Sequence, residues 1–194
     1  ASASYTIEGK TVGLIGLGSI GKQVAQKVQA FGAAVQYYDI FRLSPSEEEK
    51  RAVKYAGLEE LLQTSDIISL HVPLSDDTRH LISKDTIKLM KPSAIIVNTA
   101  RGAIIKEEDL VEALRNKRIM GAGLDCFENE PVDKNNPLLK LKNIVVTPHM
   151  GGSTIDISVK MAKRCIENIL KVSKGESLSK ADVVNAEYFI NYNH

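Results

Sequence analysis

Apolar residues come in short, dense runs along this chain, and most runs give way to a segment where they recur every three to four positions. Thr11–Ile15, Ala34–Tyr38, Ile67–Leu70, Ala94–Val97, Met120–Leu124 and Ile144–Val146 are the short runs. They predict six strands buried on both faces. Helical periodicity falls on Ile20–Phe31, Pro45–Tyr55, Leu58–Gln63, Ser83–Met90, Glu107–Asn116 and Thr154–Ser173. Pro45 suits a first helical turn, and the acidic start of Glu107–Asn116 complements the helix dipole. Ser153 is placed to cap the last helix and Gly175 to end it. Alternating strands and helices with right-handed crossovers predict an α/β fold, a doubly wound parallel sheet. Glu176–His194 loses periodicity and reads as an extension.

In such sheets ligands sit at the carboxyl ends of the strands. That rule selects Gly16–Gly21, Asp39, His71–Thr78, Asn98–Gly102, Asp125–Pro131 and His149–Ser153. The first of these is a G-x-G-x-x-G turn between a strand and a helix, and Asp39 arrives eighteen positions after Gly21, at the end of the second run. This arrangement suits a dinucleotide. Gly16 permits the tight turn, Gly18 lets a pyrophosphate approach the backbone, and Gly21 lets the helix pack on the strand. The N–H groups of Ser19 and Ile20 would face the phosphates. Asp39 would accept from both ribose hydroxyls and repel a 2′-phosphate, which favours NAD over NADP. Arg42, three residues on, tempers that preference.

The composition is that of an ordinary globular domain: 194 residues, 43% hydrophobic, 25% charged. A net charge of +1, without basic clusters, gives no electrostatic case for nucleic acid or an anionic membrane. No run approaches the roughly twenty apolar residues of a membrane span. Cys126 and Cys165 are too few for a disulfide scaffold and read as buried fillers, so a reducing, cytoplasmic setting is expected. Ala1–Ser4 shows neither a charged nor an apolar leader segment, so no signal peptide is expected.

The later loops carry chemistry. Arg101 follows the fourth strand, where its fork would meet a carboxylate bidentately; alone it would read as a surface ion pair. Gly102 suggests a tight loop hugging a ligand. Asp125, Glu128 and Glu130 form an acidic cluster after the fifth strand. Asp125 is nearest the strand end and suits a carboxamide or ammonium, whereas Glu128 reads as solvated. His149 stands between Pro148 and two glycines, and beside a carboxylate and an arginine it can serve as a proton donor. His71, before Val72 and Pro73, reads as shaping the cofactor pocket, while His80 and His194 have no such context. No metal-ligand spacing is present, so no metal is expected.

Taken together, Gly16–Gly21, His71-Val72-Pro73-Leu74, Asn98–Gly102, Gly123–Pro131 and Pro148–Thr154 resemble the nucleotide-binding domain of the D-isomer-specific 2-hydroxyacid dehydrogenases, over roughly Tyr5–Asn185. The resemblance implies a Rossmann fold: a cofactor domain (5–174) without most of its substrate domain, and an extension (175–194) similar to the returning segment. It implies that Arg101 holds the substrate carboxylate and keto oxygen, that His149 is the acid/base, and that Glu130 is its carboxylate partner. Asp125 would meet the nicotinamide carboxamide, and His71, Val72, Pro73, Thr99, Ala100, Gly151 and Gly152 would line the cofactor site. The implied cofactor is NAD and the implied partner a small 2-hydroxy or 2-keto acid, with a homodimeric full-length form. Phosphoglycerate is the default substrate, with glyoxylate, hydroxypyruvate or D-lactate as alternatives. A chain without the second lobe is expected to bind NAD(H) and turn over hydroxy acids slowly or not at all. Two other readings stay open: an NAD-sensing corepressor-like module, and a methyltransferase-like nucleotide site, against which the full glycine motif and the Arg/Glu/His set both argue.

Overall fold

The computed structural model describes residues 4–179 and 182–183, and the apolar runs become strands. These are β1 (Thr11–Ile15), β2 (Ala34–Tyr38), β3 (Val53–Tyr55), β4 (Ile67–Leu70), β5 (Ile95–Asn98), β6 (Gly121–Leu124) and β7 (Ile144–Val146). The helices are α1 (Ser19–Ala30), α2 (Pro45–Arg51), α3 (Leu58–Thr64), α4 (Lys84–Ile87), α5 (Glu107–Arg115) and α6 (Ile155–Ser173). All strands pair in parallel, in the order β3-β2-β1-β4-β5-β6-β7. Two units divide between His149 and Met150; the sheet and α1 to α5 belong to the first, α6 to the second.

β1 shows why helices cover both faces. Val12 and Leu14 pack with Ala25 of α1 in one buried cluster. Gly13, pointing the other way by the strand's period of two, faces α3: a Cβ there would lie 2.1 Å from Ser65 Oγ and 2.7 Å from Leu61. The larger cluster joins Leu61, Ile68, Ile96, Leu110 and Leu124 across the sheet's centre. Burial of such side chains contributes roughly 1.5–3 kcal/mol each. Buried Gln36 donates to Thr64 Oγ1 at 2.7 Å and Ser65 Oγ at 2.9 Å, so its amide N–H groups are satisfied.

Three expectations about local structure are corrected. Pro45–Tyr55 is not one helix. Ala52 adopts a left-handed conformation (φ 50°, ψ 44°) that stops α2, and Val53–Tyr55 then pairs with β2 as a seventh, edge strand. Ser153 does not cap α6: Thr154 does, its side chain accepting from Ile157 N at 3.2 Å. The other ends move by a few residues, most at Ser83–Met90, where the α-helix is Lys84–Ile87. Gly175, at φ 72°, stands just past the end of α6 as expected. The remainder of the tail lies largely outside the described residues. Among the described residues no helix is long and apolar enough to cross a membrane.

Candidate functional site

The strand order reverses beside β1: the chain leaves it for β2 on one side and returns as β4 on the other. At such a switch point the loops leaving the two neighbouring strands diverge and open a crevice. The glycine turn and the His71 loop flank it. Gly16, at φ 96°, has no room for a side chain, since a Cβ would lie 2.8 Å from the His71 carbonyl. A Cβ on Gly21 would lie 2.3 Å from Gly16 O, so α1 packs directly on the turn. Gly18 differs: nothing lies within 4 Å of its Cβ position. It is the N-cap of α1, provides no side-chain cap, and no acidic residue follows in the first turn. Ser19 and Ile20 are exposed there. An uncapped helix start beside open space is a cradle for a phosphate group.

Asp39 closes the same crevice from the β2 side. Its Oδ2 accepts from Leu17 N at 2.7 Å and its Oδ1 from Phe41 N at 3.0 Å. Each carboxylate oxygen keeps a further lone pair for a hydroxyl. His71 Nε2 bonds Ser69 Oγ at 3.0 Å, and burial holds its pKa below the usual imidazole value. Val72 packs against the core next to Gly16, while Pro73 is exposed.

Farther along the carboxyl edge, Arg101, Glu130 and His149 line one cleft of about 180 Å³, with Leu74, Cys126 and Phe127. The loop after β5 is built by Asn98, fully buried at the strand end. Its amide donates to Arg101 O at 2.9 Å, and its Oδ1 accepts from Ala100 N at 3.0 Å. Thr99 is exposed at the crest of that turn, and Arg101 Nη1 bonds Ala100 O at 2.7 Å. Glu130 Oε1 accepts from Phe127 N at 2.9 Å, which orients its other oxygen to His149 Nδ1 at 2.7 Å. That bond, then the Phe127 N–H, holds the Glu130 carboxyl below its ordinary pKa. His149 has φ 54°. With Nδ1 engaged by a carboxylate, Nε2 is the ring atom left to face a substrate. Asp125 is buried; its Oδ1 accepts from Thr147 Oγ1 and its N–H donates to Asn98 O at 2.9 Å. Burial, with Glu130 and Asp125 nearby, pushes the Cys126 thiol up to about 11, so it is an inert wall of the cleft.

The structure therefore brings Arg101, Glu130 and His149 together, places Gly16, Gly18, Ser19, Ile20, Gly21, Asp39, His71 and Val72 around the switch-point crevice, and sets Thr99, Ala100 and Asp125 on the loops between. Gly151 and Gly152 belong to the second unit. Gly102 lines the same cleft as Arg101, and a Cβ on it would lie 1.9 Å from the Phe127 carbonyl, so the residue also lets the Arg101 loop abut the Glu130 loop. Glu128 is not merely solvated: its Oε1 lies 2.8 Å from His80 Nε2. Glu128 N donates to Glu107 Oε1 at 2.5 Å, and Glu107 N donates back to Glu128 Oε1 at 3.3 Å. Asn98, Thr147 and Glu107 were not among the expected residues. A polar side chain ending an otherwise apolar run was the signal for Asn98; the Glu107–Glu128 brace spans 21 residues and left none.

Comparison with known proteins adds to this geometry. A family model described as "D-isomer specific 2-hydroxyacid dehydrogenase, NAD binding domain" matches residues 1–151. A glyoxylate reductase from Thermococcus litoralis is 44% identical over 172 residues, which is 89% of this chain and 51% of that protein. A crystal structure of a glyoxylate reductase from Paecilomyes thermophila superposes with a TM-score of 0.84 at 37% identity, covering 92% of this chain and 54% of the other. D-lactate dehydrogenase with NAD+ from Lactobacillus jensenii gives 0.83 at 34% identity, covering 92% and 58%. The chain spans about half the length of the curated relatives it matches.

Proposed function

We propose a function on the premise that this chain belongs to the D-isomer specific 2-hydroxyacid dehydrogenase family, whose NAD-binding domain it carries: it is the cofactor-binding half of an oxidoreductase that reduces a small 2-keto acid. Glyoxylate is the substrate we favour over phosphoglycerate, because relatives bearing the name glyoxylate reductase match it at 41–45% identity. Residues 5–174 form the dinucleotide-binding domain in this reading, and 175–194 the segment returning to a second domain. The full-length form is a homodimer. The observation that carries the proposal is the convergence of Arg101 with the Glu130–His149 pair in one cleft, on the same sheet edge as the glycine turn.

The open Gly18 cradle, the uncapped start of α1 and the Asp39 carboxylate fit a dinucleotide with free ribose hydroxyls. Bound NADH supplies the hydride. The chain's residues do the rest. Arg101 binds the substrate carboxylate and lies where it can steady charge growing on the keto oxygen. Glu130 accepts from Nδ1 of His149 and fixes the ring, so that Nε2 faces that oxygen and donates the proton to it. Asp125 meets the carboxamide of the nicotinamide, and Asn98 keeps the Arg101 loop in place.

Three measurements test this. Titration of the chain with NADH, followed by fluorescence, should show saturable binding. In the longest form of the protein that the gene encodes, glyoxylate should be reduced faster than hydroxypyruvate, pyruvate or phosphohydroxypyruvate. His149→Ala there should lower turnover by about a hundredfold or more. Binding of S-adenosylmethionine in place of NADH would overturn the proposal, and turnover indifferent to His149 would overturn the assigned roles.

A further inference from the structure

The loop after Asp39 carries a cation that this fold could use against the preference Asp39 sets. An arginine close behind the ribose-binding carboxylate is the residue type that takes up a 2′-phosphate, and Arg42 is three positions on. Its guanidinium is already engaged. Nε donates to Glu48 Oε1 at 2.9 Å and Nη2 to Glu48 Oε2 at 3.2 Å, a bidentate fork. Its Cζ also lies 4.7 Å from the centroid of the Tyr55 ring, on the edge strand β3.

The clamp is itself held. Tyr37, buried in β2, donates from its hydroxyl to Glu48 Oε1 at 2.8 Å and accepts from Leu43 N at 2.9 Å. Its ring meets Tyr55 edge-on at 5.5 Å. The Glu48 side chain is 13% exposed against 57% for Arg42, so the carboxylate is the fixed partner and the arginine the movable one. The Arg42 fork, followed by the Tyr37 bond, outweighs burial and keeps the Glu48 carboxyl below its ordinary pKa, so the pair is ionised at neutral pH.

We propose that Glu48 is a cofactor-specificity residue: by seating Arg42 on Tyr55 it withholds the one cation of the Asp39 loop from a 2′-phosphate. Asp39 repels that phosphate and Glu48 removes its counter-charge, so discrimination against NADP is built from two carboxylates. Neither Glu48 nor Arg42 is needed for the free ribose of NAD.

This rests on the dinucleotide reading, and the test separates the two. Affinities for NADH and NADPH are measured by fluorescence in the wild-type chain, in Glu48→Gln, and in Glu48→Gln/Arg42→Ala, each also on an Asp39→Asn background that brings NADPH binding into range. Gln preserves an acceptor for Tyr37 and a good helix former in α2. Glu48→Gln should leave NADH affinity within about twofold and tighten NADPH about three- to fivefold at low salt, the scale of releasing an exposed ion pair. Salt should shrink that gain, and removing Arg42 should abolish it. Tyr55→Leu, which takes away the platform but leaves Glu48, should give a smaller gain in the same direction. NADPH affinity unchanged by Glu48→Gln while NADH still binds overturns the clamp alone, as does a gain that survives loss of Arg42. A wild-type chain that binds neither dinucleotide overturns the parent reading and the clamp with it.

Discussion

Gly18 and Gly102 are both glycines in site loops, yet they are glycine for opposite reasons. Around Gly18 there is open space, whereas Gly102 abuts the Phe127 backbone. Gly18→Ala should therefore cost about 1 kcal/mol or less, the loss of a glycine N-cap, and lower NADH affinity about tenfold or more, because the methyl group would occupy the phosphate cradle. Gly102→Ala should cost about 3 kcal/mol or more, because backbone atoms cannot step aside for a Cβ. Thermal unfolding with NADH titration checks both, and a stability loss at Gly18 as large as that at Gly102 would contradict the assignment. The Glu130–His149 pair gives a pH expectation at the same scale. Its His149 bond, with the Phe127 N–H, lowers the Glu130 pKa in the folded state. The stabilisation is therefore complete above the ordinary carboxylate range and lost as pH falls through the lowered value. His149→Ala should move the Glu130 midpoint back up, read from its side-chain carboxyl carbon by NMR; an unmoved midpoint would contradict the pairing. The glycine motif, Asp39 and Arg101 were legible as candidates because motif and strand end coincide. The partners of Glu128 and His80 were not, because their bonds join distant loops.

At the scale of elements, the segment after Asp39 is the instructive failure. Pro45–Tyr55 is rich in Glu, Lys and Arg, which read as helix throughout. The helix runs only as far as Arg51, with Ser44 capping it through Glu47 N. Ala52 then turns left-handed, and β2 takes Val53, Lys54 and Tyr55 as an edge strand. Tertiary pairing outweighed local propensity, and in doing so placed Tyr55 under Arg42. Ala at φ 50° is strained where glycine is not. Ala52→Gly should thus stabilise the chain by up to about 1 kcal/mol, measured by urea unfolding, and a clear loss would show the turn to be held otherwise. α6 was legible for another reason: nineteen residues of amphipathic pattern with Gly175 just beyond mark a helix without reference to any neighbour, although the cap is Thr154 and not the expected Ser153.

For the whole molecule, the pattern of runs determined the class of fold, since short apolar strands between helical segments bury only as a parallel sheet covered on both sides. It determined which loops gather at the carboxyl edge, and with the glycine motif and Asp39 it determined the kind of ligand the edge accepts. These follow from residue type and spacing alone, because backbone geometry and strand period are local. The strand order was decided only in three dimensions. It sets the reversal beside β1 that joins the Gly16 turn to His71, and the seventh strand that closes the edge. So were the contacts that give the site its precision: Asn98 on the Arg101 loop, Glu107 against Glu128, and Glu48 on Arg42. The physical reason is that a hydrogen bond or a close approach between loops depends on where the sheet puts them, and neither residue of such a pair carries a mark of its partner in the chain.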